Sequence, residues 1–114
     1  MELADVRAIA LGLPEATEAP HHDMTSFRVR GKIFATAPPD EAHVHVFVDE
    51  AETAAAVAES PGWCAELWWG KKLSGVRVTL SGADPQRVAE LLEESYRRRA
   101  PKKLIADLDR QHVD

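Results

Sequence analysis

Apolar positions along this chain recur at two periods, and the switches between them mark its elements. Residues 2–13 carry Leu3, Val6, Ile9, Ala10 and Leu13 at helical spacing, and Gly12 with Pro14 closes this first helix. The polar, proline-bounded stretch PEATEAPHHDM reads as a connection. In TSFRVRGKIFAT, Phe27 and Val29 alternate with Arg28 and Arg30, and the pattern resumes at Lys32 with Ile33 and Phe34, predicting two strands around a turn at Arg30-Gly31. HVHVFV alternates His43, His45 and Phe47 against three valines, a third strand with one face toward the core.

Asp49 caps an alanine-rich helix over roughly residues 50–59, which SPGW ends. CAELWWGKKLSGVRVTL then holds two apolar stretches around a Gly- and Lys-rich centre, which predicts a second hairpin. Asp84-Pro85 suits the start of a helix whose core face is Val88, Leu91, Leu92, Ser95 and Tyr96. After Pro101, a last short helix points Leu104, Ile105 and Leu108 inward. The expected fold is therefore a single two-layer α+β domain over residues 1–114, in the order α-β-β-β-α-β-β-α-α. Its five-stranded sheet is largely antiparallel, with helices on one face.

Composition narrows the class. The chain is 45% hydrophobic and 29% charged, like an ordinary globular protein. Its one cysteine, Cys64, cannot form an intramolecular disulfide, and no basic-then-apolar leader opens the chain, so a cytoplasmic location is expected. No apolar run is long enough to span a membrane.

Net charge is −5, which argues against bulk binding to a polyanion. The charge is segregated, however, with +3 over residues 25–37, +2 over 61–83 and +5 over 97–103.

Three stretches resemble the MmcQ/YjbR family of small bacterial proteins: LPEATEAPHHDMTSFRVRGKIFAT, LWWGKKLSGVRVTL and LLEESYRRRAPKKLIADL. The resemblance implies an α-β-β-β-α-β-β-α two-layer fold and DNA binding through a pair of wing-like hairpins. Where family members often carry a histidine-tryptophan pair, this chain has His21-His22.

The residues themselves leave several readings open. Arg28, Arg30 and Lys32 lie at spacing two and are expected on one strand face, opposite Phe27, Val29 and Ile33. Lys71 and Lys72 mark the other hairpin tip, with Arg77 on its return strand. These cations either contact phosphates or only protect a solvated sheet edge. Trp68 and Trp69 must face opposite ways in a strand, so one is expected in the core. The other, with Trp63, belongs in the core, at a dimer contact or against a base. Arg97, Arg98 and Arg99 suit a helix C-terminus, whereas Lys102 and Lys103 at a helix start suit an anion or a nearby carboxylate.

His21, His22 and Asp23, with His43 and His45, lack the tight spacing of a metal site, so no metal and no cofactor is expected. No nucleophile or phosphate-binding fingerprint surrounds Ser26 or Cys64, so no enzyme is expected. Cys64 reads as a small buried hydrophobe. The expected partner is DNA, bound weakly and in a salt-dependent way by a monomer or weak homodimer. A protein- or self-interaction module is the alternative, and a small-ligand site near the histidine loop is a third.

Overall fold

The computed structural model describes residues 1–113 and forms four helices over one six-stranded antiparallel sheet. The elements are α1 (Leu3–Leu11), β1 (Ala16–His21), β2 (Met24–Val29), β3 (Lys32–Ala37), β4 (His43–Val46), α2 (Glu50–Glu59), β5 (Cys64–Trp69), β6 (Lys72–Thr79), α3 (Pro85–Arg99) and α4 (Lys102–Val113). One turn of 3-10 helix, Leu80–Gly82, separates β6 from α3. Spatial order in the sheet is β1-β2-β3-β4-β6-β5, so β1 and β5 are the edges.

The extra strand is β1, which lies within the stretch expected to be a connection. It pairs along its whole length with β2, from Ala16 opposite Val29 to His21 opposite Met24. Its sequence, ATEAPH, has no hydrophobic alternation and only Thr17 as a β-former, and Pro20 fits only because this is an edge. The ladder comes from the partner strand, which the sequence of β1 cannot announce.

Both capping expectations hold. Asp49 accepts from the Glu52 N–H at the start of α2, and Asp84 from the Arg87 N–H at the start of α3. Cross-strand partners share a face, so the register defines two sides. One row, Phe27, Ala35, Val46 and Val76, is fully buried beneath the helices. Val44, Val78 and Cys64 continue that buried side.

From α3, Val88, Leu91, Leu92, Ser95 and Tyr96 all face this core, and Leu104 and Leu108 of α4 join it while Ile105 is only half-buried. Tyr96 meets the Phe34 ring edge-on at 5.7 Å and donates its hydroxyl to the Pro14 carbonyl at 2.8 Å. The ring is core and the oxygen is rim.

The other, open side of the sheet carries no helix among the described residues, though Ser26 and Thr36 on it are buried while Arg77 and Ala65 are exposed. Its row across the middle is Ala19, Ser26, Thr36, His45, Arg77 and Ala65.

Candidate nucleic-acid interface

Strand direction places the site. Because every neighbouring pair is antiparallel, β2, β4 and β5 run one way and β1, β3 and β6 the other. The β2–β3 turn at Arg30-Gly31 and the β5–β6 turn at Gly70-Lys71 therefore emerge from the same end of the sheet. Three strand spacings separate them, about 14 Å at ~4.8 Å each. Between them β4 stops at Val46, and the chain leaves through Phe47 toward α2. Two hairpins thus project on either side of a gap.

The hairpins are built alike. Each has a two-residue turn with left-handed backbone, Arg30 and Gly31 at φ 51° and 78° in the first and Gly70 at φ 60° in the second. Each carries a bulge at the same height, with Phe34 extra on β3 and Ser74 extra on β6. Next to the second bulge, Gly75 has φ 154°, and a Cβ there would meet the Val46 carbonyl oxygen at 2.0 Å. Glycine is required where β6 crosses so close to β4.

Bulge and turn also overturn the expectation that Arg28, Arg30 and Lys32 share a face. Arg28 lies opposite Ile33 on the open side, Lys32 lies opposite the buried Val29 on the helix side, and Arg30 occupies the turn. Nor are these cations equally available. Arg30 makes two hydrogen bonds to Glu15, at 2.8 and 3.1 Å, which raises its pKa and lowers that of the carboxylate. Arg28 folds back, donating to Ser26 Oγ at 2.9 Å and to the Pro20 carbonyl at 3.4 Å. Lys32 is exposed.

In the second hairpin Lys71 and Lys72 are exposed, and neither forms an ion pair among the described residues. The adjacent tryptophans correct a second expectation, since neither is in the core: Trp68 is 51% exposed and Trp69 81%. They do face opposite ways, Trp68 beside Leu73 on the helix side and Trp69 beside Lys72 on the open side. The hairpin runs past the end of the helical layer, which the pattern of apolar residues does not encode. Trp63, half-buried, packs against the core.

A third basic segment reaches the same end. Arg98 donates to the Phe47 carbonyl at 2.9 Å, in the gap between the hairpins, and Arg99 to the Ile33 carbonyl at 3.2 Å. The helix dipole accounts for a basic C-terminus on α3, but not for these contacts. Their acceptors lie 51 and 66 residues away in sequence, so no local signal could have revealed them. Arg97 instead turns away to Asp109 at 2.6 Å. Lys102 and Lys103, exposed on the first turn of α4, follow directly, and the charge of Lys103 helps hold Glu15 below the usual carboxylate range. All three basic blocks of the sequence therefore converge on one end of the molecule.

The open face has a matching character. Its strand positions include Arg28, Lys72 and Arg77 together with His21, His43 and His45, and not one aspartate or glutamate. The two strand carboxylates, Glu18 and Glu66, lie on the helix side, opposite Phe27 and Val76 respectively.

His21 is on β1 and His43 on β4, three strands apart, and both lie at the end away from the hairpin tips. The His21 and His22 rings meet edge-on at 4.6 Å, while His43 Nδ1 bonds Asp40 at 2.8 Å. Among the described residues no group of three or more His, Cys, Asp or Glu could hold a metal. Ser26 Oγ donates to the Ala19 carbonyl, and burial pushes the Cys64 thiol up, which disfavours the reactive thiolate.

Residues 11–98 match the family model described as YjbR. The chain belongs to the YjbR family. A crystal structure of the Deinococcus radiodurans protein DR2400, with a DUF419 domain, superposes with a TM-score of 0.71 at 24% identity, covering 83% of this chain and 75% of that one. At that identity the likeness concerns the fold. No curated protein matches the sequence. Among the described residues, no helix of this YjbR protein is long and apolar enough to cross a membrane.

Proposed function

We propose that this YjbR protein is a non-enzymatic DNA-binding protein whose hairpin end grips phosphates from two sides. The observation that carries the reading is the gathering of three basic segments at one end of a chain whose net charge is −5. Lys71, Lys72, Lys32 and Lys102 are exposed and form no ion pair among the described residues, Lys103 lies near Glu15, and Arg28 and Arg77 stand behind them on the open face. Phosphate contacts of this kind are sequence-blind and salt-sensitive.

The test is fluorescence anisotropy with mixed-sequence DNA over a salt series. With about four phosphates engaged, log affinity is expected to fall against log salt with a slope of roughly −3 to −4. Absence of binding at about 50 mM salt overturns the reading. One observation favours a second reading, a protein-interaction module: the exposed Trp68 and Trp69 sit on an edge strand with unpaired backbone groups. Concentration-dependent self-association without DNA binding would support it.

A further inference from the structure

We infer that the β5–β6 hairpin takes unpaired bases, so that the hairpin end binds single-stranded nucleic acid lying across the open face of the sheet. This rests on the nucleic-acid reading and narrows it.

Three observations lead there. Trp69 is 81% exposed at the tip of a projecting hairpin, and besides the two neighbouring tryptophans only Leu11 is an exposed large hydrophobic among the described residues. An indole so placed is a flat apolar surface with nothing of its own protein to cover it. Second, the register sets Trp69 directly opposite Lys72 on the open side, so ring and cation address the same ligand. Third, the open face that leads away from this pair toward Arg77 and Arg28 has no carboxylate at any strand position. Asp40 borders that face at the end away from the hairpin tips, bonded to His43. An aromatic platform at one end of a surface with cations at its strand positions is the arrangement that tracks a single strand, with bases on rings and phosphates on cations.

A duplex satisfies only half of it. Its base faces are stacked on one another, so it offers phosphates to Lys71 and Lys72 but nothing flat to Trp69. A second copy fits less well, because packing two such tips together sets Lys71 and Lys72 against their own like charges.

The experiment compares an oligothymidine of about 12 nucleotides with a mixed-sequence duplex of similar length, at one low salt concentration, by anisotropy and by quenching of tryptophan fluorescence. The wild type is expected to bind the single strand at least ~5-fold more tightly, with quenching, and Trp69→Ala to lose roughly 5- to 150-fold of that affinity, the range of one base stack. Duplex affinity is expected to change less than ~2-fold, and Trp69→Phe to keep most of the single-strand binding. Thermal melting checks that Trp69→Ala stays folded, as its exposure implies.

The inference is overturned if the duplex binds as well as the single strand, or if Trp69→Ala binds the single strand unchanged. A dimer in sedimentation that Trp69→Ala abolishes also overturns it. Binding of duplex alone leaves the proposed function standing while removing this inference, whereas binding of neither removes both.

Discussion

The β2–β3 hairpin has a strand on each side, β1 and β4, whereas the β5–β6 hairpin has a neighbour only at β4. The same construction, a tight turn above a return-strand bulge, therefore meets two environments. In the first hairpin the bulged residue, Phe34, is fully buried against Tyr96, and its carbonyl accepts from Ser95 Oγ. In the second it is Ser74, half-buried, with a long contact of 3.4 Å to the Lys72 carbonyl. The arginines of the first hairpin are engaged with Glu15, Ser26 and Pro20, while the lysines of the second are exposed and outside every ion pair among the described residues. Similar sequences at two tips thus carry different jobs: one hairpin is anchored into the fold and the other is presented to the outside.

The largest effect expected from this contrast is at the two bulges. Phe34→Ala will cost ~3–5 kcal/mol, as full truncation of a buried aromatic does, and Ser74→Ala will stay within about 0.5 kcal/mol. Urea unfolding of the two variants measures it. Comparable losses would mean that the second hairpin is as deeply anchored as the first.

Next is Gly75→Ala, expected to destabilise by about 2–4 kcal/mol, because the new Cβ must displace the Val46 carbonyl from an already left-handed backbone. That would show the free hairpin to be rigid at its base and free only beyond it. A neutral result would make the whole hairpin adaptable.

A smaller effect concerns the face between the hairpins. Burial, then Arg77 and His43, pushes the His45 imidazole below its ordinary value of 6.5, and its Nε2 is buried with no hydrogen-bond partner among the described residues. Below pH 6.5 the unfolded chain therefore takes up a proton that the folded one refuses, so stability falls with acidification until the lowered folded pKa is passed. Melting temperature against pH will decline less steeply in His45→Gln than in the wild type; equal slopes would remove His45 from the account.

Much of this contrast is readable in the sequence, because it rests on period and punctuation. The two turns, the valine face of β4, both aspartate caps and the core face of α3 all follow from spacing. Strand β1 is not readable, since ATEAPH lacks a strand's alternation and its ladder comes from β2, while its Glu18 is tied to Arg7 of α1, a contact no local pattern announces. The split of Arg28 from Lys32 depends on an extra residue in the facing strand, and the exposure of both tryptophans depends on where the helical layer ends. Convergence of the basic blocks is a property of strand order. Charge spacing along the chain could suggest the blocks but not their meeting.

The central claim is that the exposed lysines of the second hairpin contact phosphates, and Lys71→Gln with Lys72→Gln tests it most directly. Both side chains are exposed and outside every ion pair among the described residues, so the melting temperature is expected to stay unchanged. The slope of log affinity against log salt is expected to become shallower by about two, one for each phosphate that a lysine no longer neutralises, with little change in preference among sequences. Unchanged affinity and slope in the double variant, with the wild type binding, would contradict the claim.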